Sequence, residues 1–251
     1  GMFKERCEIE VDNSSYVIAS SDGKTLYSIA DEGVVSFRIL PNGSLARLNS
    51  SSIRGMRGCH LCTDEEDKYV FVSGYHDGKT TVLSLNPDGS VGKIVDGVFD
   101  RGYGSVAERN FRPHVTCTRR MPDNRFVLSV DNGIDQVKIY RFNDKEQKLV
   151  QVDAIRCDLE SAPRHFRYSK DGKFIYLMYE LKKAIEVYTY KTGDRAPVIE
   201  KIQTISTTST KNPDNLTAAC AMRMSVDQKY IYCTNAGENT ISVYKRDEET
   251  G

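Results

Sequence analysis

Five times along the chain a polar turn ending in a basic residue gives way to an apolar run. Asp22-Gly23-Lys24 leads into Thr25-Leu26-Tyr27, and Glu66-Asp67-Lys68 into Tyr69-Val70-Phe71. Asp123-Asn124-Arg125 leads into Phe126-Val127-Leu128, Asp171-Gly172-Lys173 into Phe174-Ile175-Tyr176, and Asp227-Gln228-Lys229 into Tyr230-Ile231-Tyr232. The basic residues of these turns are 44, 57, 48 and 56 positions apart. After each run comes a second segment in which apolar and polar positions alternate: residues 34–39, 80–85, 137–142, 185–190 and 241–244. A period of two, rich in β-branched and aromatic residues, predicts strands. The Asp-Gly turns and their near substitutes suit tight hairpins that need a positive φ. A more polar strand follows most units, for example residues 44–49 and 149–154. Four strands recurring at this spacing predict an all-β chain, a β-propeller of four-stranded antiparallel blades.

The repeats fall at about 15–53, 58–99, 111–155, 161–207 and 215–251, within one domain spanning 1–251. The fifth stops after its third strand, while residues 7–11 read as a lone strand. Two arrangements fit. In one, residues 7–11 supply the outer strand of the fifth blade and close a ring. In the other, the chain is part of a larger propeller, and open blade edges predict self-association. The two longest connections, 99–112 and 207–215, each precede the innermost strand of a blade and emerge on one face. In an antiparallel blade the start of the first strand and the end of the second also meet there. Tyr75, His114, Asp131, Arg164 and Glu180 are thereby expected around one mouth of the central channel, the usual ligand site of such a fold.

Charge is balanced, with 35 basic and 35 acidic residues. That gives no footprint for nucleic acid or an anionic membrane. No run of ~18 apolar residues is present, and the first residues lack the apolar core of a secretion signal. Seven cysteines scattered through the strands fit buried thiols in a reducing compartment, so a cytoplasmic location is expected. The sequons at Asn13, Asn49 and Asn215 are then chance matches. Cys59-His60-Leu61-Cys62 has metal-motif spacing, but a strand there would send its two cysteines to opposite sides, and no second pair completes a zinc site. The run from Asp131 to Asp135 lacks the closing Glu of a calcium loop and reads as a hairpin turn. Tyr176, Tyr179, Tyr188 and Tyr190 are assigned to packing between blades.

Several short motifs go beyond the framework. They are Asp12-Asn13-Ser14-Ser15-Tyr16, Ser73-Gly74-Tyr75, Gly102-Tyr103-Gly104, Arg109-Asn110-Phe111-Arg112-Pro113-His114, Ala162-Pro163-Arg164-His165 and Tyr179-Glu180-Leu181. Together they resemble the lactonase family of seven-bladed propellers, which contains propeller-type 6-phosphogluconolactonase and carboxymuconate lactonising enzyme. The resemblance implies a site made by a His, two Arg and a Glu at the channel mouth. Arg164 and Glu180 match its Arg and Glu. Thr116 stands where the second His of a Pro-His-x-His pattern belongs, after Pro113 and His114. Ala221 occupies the position of an acidic residue, and Ala236, after Asn235, that of the second Arg.

Lactone hydrolysis needs a base for water, a donor for the developing oxyanion and a handle for an anionic substrate. Glu180 suits the first role if burial raises its pKa. Arg164 suits the other two through its fixed fork of donors. His114 is a candidate second acid or base, and Arg109, Tyr75, Asp131 and Asn235 are candidate substrate contacts. A structural reading stands beside this one, in which Arg164 and Glu180 are an ion pair joining two strands. His165, next to Arg164 on a strand, is expected to face the other way and pack in the core. The expected activity is hydrolysis of a sugar-acid or other anionic lactone, with no metal and no cofactor. The rival is a catalytically inactive propeller that binds a small anion or a protein at the same face, as Thr116, Ala221 and Ala236 suggest.

Overall fold

The computed structural model describes residues 2, 4–104, 111–209 and 216–251, and among them there is no helix. No helix long and apolar enough to cross a membrane is therefore present among these residues. Blade one comprises β1 (Val17–Ala19), β2 (Thr25–Ala30), β3 (Gly33–Ile39) and β4 (Leu45–Ser52). Blade two has β5 (His60–Thr63), β6 (Tyr69–Gly74), β7 (Lys79–Leu85) and β8 (Val91–Phe99). Blade three has β9 (Val115–Arg120), β10 (Phe126–Asp131), β11 (Gln136–Arg141) and β12 (Val150–Arg156). Blade four has β13 (Pro163–Tyr168), β14 (Phe174–Tyr179), β15 (Ala184–Lys191) and β16 (Val198–Ser206). Blade five has β17 (Ala218–Met224), β18 (Tyr230–Ala236) and β19 (Thr240–Lys245). Each sheet pairs its strands in chain order, antiparallel throughout, four with four strands and the fifth with three. The expected propeller is thus the fold.

One expectation is corrected. Residues 4–11 form no strand and do not pair with blade five. The segment is tied to blade one instead. The Asp12 carbonyl accepts from the Asp31 amide at 3.2 Å, and the Asn13 side-chain amide donates to the Asp31 carboxylate at 2.8 Å.

The inner hairpins show why the turn pattern was legible. The residue before each basic position has a positive φ: Gly23 (68°), Asp67 (50°), Asn124 (55°), Gly172 (71°) and Gln228 (57°). Glycine adopts that conformation without cost, and Asn or Asp tolerates it. In blades one, four and five the turn is fastened by a Ser–Asp pair. Ser20, Ser169 and Ser225 donate to Asp22, Asp171 and Asp227 at 2.6–2.7 Å.

Four apolar clusters fill the four seams between successive blades. Val70, Leu61 and Ile29 join blades one and two; Phe71, Val127 and Phe142 join two and three. Phe126, Phe166 and Tyr179 join three and four; Tyr176, Met178 and Ile231 join four and five. A buried ion pair adds to the second seam. Arg120 reaches Asp64 at 3.2 Å, with side-chain exposures of 5% and 1%, and its guanidinium also lies over Phe142. The strands β6, β10 and β14 are buried at every position, as strands covered on both faces must be.

Candidate active site at the channel mouth

The innermost strands share a device that shapes the mouth. In blade three Val130 pairs with Cys117 and Asp131 with Val115, leaving Thr116 as the extra residue of a β-bulge. In blade four Tyr179 pairs with Pro163 and Met178 with His165, so Arg164 is the extra residue. In blade five Asn235 pairs with Ala219 and Thr234 with Ala221, so Cys220 is the extra residue. A bulge breaks the alternation of a strand and re-aims side chains. Here it brings Thr116 and Arg164 to one cavity of about 440 Å3, lined also by Ser15, Tyr16, Cys59, Tyr75 and Glu180.

Arg164 and Glu180 are the charged pair of this cavity. Nη1 of Arg164 donates to Oε2 of Glu180 at 2.5 Å, and Nε donates to the Cys220 carbonyl at 2.9 Å. The Asn132 side-chain amide also donates to Oε2 of Glu180, at 3.3 Å. Glu180 is nearly covered while Arg164 is not: their side chains are 8% and 34% exposed. Burial works against the charge on Arg164, yet the adjacent Glu180 outweighs it and holds the guanidinium above its ordinary range. Thr116 donates its hydroxyl to the Arg164 carbonyl at 2.8 Å, joining the two bulges. The arrangement offers a cationic fork facing open space beside a covered carboxylate.

The other expected residues divide. Tyr75 lines the cavity. His114 does not; its ring stacks on Tyr75, with centroids 4.3 Å apart, and its Nδ1–H donates to the Tyr75 carbonyl at 2.6 Å. Burial lowers its pKa. Asp131 turns into its own hairpin, where Oδ1 accepts from the amides of His114 (2.8 Å) and Gly133 (3.0 Å). Burial, then the charge of Asp100, hold it well above the ordinary carboxylate range. Asn235 is buried and donates to the Thr207 carbonyl at 2.5 Å, anchoring a loop and not bordering the cavity. Arg109 lies outside the described residues.

His165 is a correction. It is buried as expected, at 9% exposure, but the bulge cancels the alternation that would turn it away from Arg164, and both border the cavity. Ser15, Tyr16, Cys59 and His76 also border it and were not anticipated. No periodicity argument finds them, because Ser15, Tyr16 and Cys59 precede the ladders and His76 lies in the β6–β7 turn. Burial pushes the Cys59 thiol up to about 12. Cys62 lines a different cavity, so the Cys-x-x-Cys pair does not converge. The run from Asn132 to Asp135 is the β10–β11 turn.

Blades, bulges and a polar central cavity define the molecule as a β-propeller with its polar site on the axis. Residues 4–251 match the family described as "Lactonase, 7-bladed beta-propeller", and the chain belongs to that family. A Bacillus subtilis protein named 6-phosphogluconolactonase is 29% identical over 244 residues, covering 95% of this chain and 68% of that protein. An uncharacterised Staphylococcus saprophyticus protein is 28% identical over 247 residues, covering 96% of this chain and 69% of its own length. A Bacteroides fragilis structure, described provisionally as a 6-phosphogluconolactonase, aligns with a TM-score of 0.86 at 29% identity, over 98% of this chain and 70% of that chain.

Proposed function

We propose that the chain hydrolyses an anionic sugar-acid lactone of the 6-phosphogluconolactone kind at the Arg164–Glu180 mouth. The observation that carries this reading is the pairing of a covered carboxylate with a partly exposed guanidinium in one axial cavity. In the proposed step Glu180 takes a proton from water as the water oxygen attacks the lactone carbonyl carbon. Arg164 stabilises the negative charge that develops on the carbonyl oxygen. Collapse of the tetrahedral adduct breaks the ring C–O bond, the ring oxygen takes the proton back from Glu180, and the product is the open hydroxy acid. Loss of the carboxylic proton makes the reaction visible as acid release. No step needs a metal or cofactor. The Bacillus subtilis relative's name supports the substrate class.

A second reading has its own observation. Thr116 occupies the bulge where a family histidine is implied, and its hydroxyl is spent on the Arg164 carbonyl. On that reading the mouth binds a small anion without turning it over. Acid release from 6-phosphogluconolactone, measured above its spontaneous rate, tests both. Turnover that falls ~100-fold or more in Arg164→Ala and in Glu180→Gln is the expected result. An intact chain that binds the product acid but never exceeds the spontaneous rate overturns catalysis in favour of binding.

A further inference from the structure

Two residues beyond the level of Cys117, His165 and Ala221, the inner strands of blades three, four and five each carry an arginine: Arg119, Arg167 and Arg223. Three guanidinium groups thus sit on neighbouring strands at one level of the channel, on the far side of the mouth cavity. Their hydrogen bonds go to neutral groups. Arg119 donates to the Cys62 sulfur at 3.3 Å, Arg167 to the Phe166 carbonyl at 2.8 Å, and Arg223 to the Met222 carbonyl at 3.1 Å and the Tyr16 hydroxyl at 3.0 Å. Among the described residues no carboxylate lies within ion-pair distance of any of the three. The nearby Asp64 is committed to Arg120 at 3.2 Å, and Glu65 is exposed on the rim. Burial, then the charge of Arg119, bring Arg167 down to about 10, while at Arg119 burial is outweighed by the Cys62 and Cys117 sulfurs, which hold it above its ordinary range. Like charges gathered without a counter-charge are costly.

The level above supplies unused donors. His60, 0% exposed, and His165, 9% exposed, each have a buried Nδ1 with no partner, and the buried Nε of Arg119 has none either. Nε2 of His60 faces the Cys117 sulfur at 3.6 Å. If the thiol donates there, the imidazole proton resides on Nδ1, which becomes a donor without an acceptor. Burial pushes both histidines well below their ordinary pKa, so they are neutral N–H donors near pH 7. The same His60, Cys117 and His165 have ligand atoms within 4.8 Å of one another, which suits a thiophilic cation in donor type. Three adjacent guanidinium charges oppose such a cation and favour an anion.

We infer that this level of the channel is a second binding site, for a small oxyanion of the phosphate or sulfate type, held by Arg119, Arg167 and Arg223 with the histidine N–H groups above. A cavity of about 240 Å3, lined by Arg119, Cys62 and Tyr168 and also by the Arg120-paired Asp64 and by Glu65, gives it an entrance separate from the mouth. Calorimetric titration of inorganic phosphate into the full chain at fixed ionic strength tests it. Saturable binding is expected, weakened at least ~10-fold in Arg119→Gln and Arg167→Gln and still present in Arg164→Gln. Circular dichroism checks that the variants fold. Arg223→Gln, at an exposed position, carries the same expectation and least endangers the fold. A dissociation constant weaker than ~10 mM for the intact chain overturns the inference. So does binding lost in Arg164→Gln but kept in Arg119→Gln, which would put the anion at the mouth. Zinc binding that depends on Cys117, with no phosphate binding, overturns it in favour of the cation.

Discussion

Blades four and five share the ladder of their first three strands and the same bulge, yet they differ in cover. Every residue of β14 is buried, because blades three and five close over its two faces. In β18 burial alternates, and on the open face Tyr230 is 40% and Tyr232 37% exposed. β19 continues the contrast, with Ile241 66% and Val243 55% exposed. Tyrosine, isoleucine and valine stand on that open face as they do on covered ones. Strand-forming sequence therefore fixes the sheet, while burial and its energy come from the neighbouring blade.

The largest test of this contrast is truncation on either side of it. Phe166→Ala, in the seam between blades three and four, is expected to cost ~3–5 kcal/mol in chemical denaturation. Val243→Ala should stay within ~0.5 kcal/mol. Equal losses would mean that blade five is covered in solution.

Next in size is a charge. Glu186 accepts from the Tyr179 hydroxyl at 2.6 Å and pairs with Lys182 at 2.8 Å and Lys201 at 3.1 Å. Burial would raise its pKa, but Lys182 and the hydroxyls outweigh it and hold the group at about 2. A depressed carboxyl stabilises the fold above its unfolded value of 4.5 and loses that contribution as pH falls toward 2. Glu186→Gln should therefore cost ~1.5–3 kcal/mol near neutrality, and the gap to the parent should narrow below pH ~4. Ser242, the residue at the matching register of blade five, should show no such pH dependence as Ser242→Ala.

Asp131 carries the opposite sign. Its raised carboxyl favours the fold when protonated, so the contribution is full below the ordinary value of 3.8 and fades as pH rises. Asp131→Asn keeps an acceptor for the His114 amide and should flatten that decline in denaturant midpoint between pH 5 and pH 9. A parent chain whose stability rises over the same window would reverse the assignment.

The hairpins of each blade were legible because their signals are local. Gly23 and Gly172 mark turns, and β3, β7, β11 and β15 follow the alternation of their residues. The mouth was legible only in part. Arg164 and Glu180 came through the motifs that resemble the lactonase family, and they do meet. His165 was turned the wrong way because a period of two carries no mark of a bulge. Asp131 and Asn235 stand at strand ends as expected, but an end position does not tell whether a short polar side chain faces the channel or fastens its own turn. His114 reached the right neighbourhood and the wrong layer, behind Tyr75. The residues from 7 to 11 alternate like a strand, but an alternating run without a partner makes no ladder.

The bulges have a consequence for how such a site can change. Thr116, Arg164 and Cys220 are surplus to the pairing of their strands. A hydroxyl, a guanidinium and a thiol occupy equivalent sockets without shifting the register of any blade. Selection acting on these sockets can exchange one ligand preference for another at little risk to folding. An old catalyst can become a sensor, or the reverse, through a handful of substitutions on an unchanged scaffold.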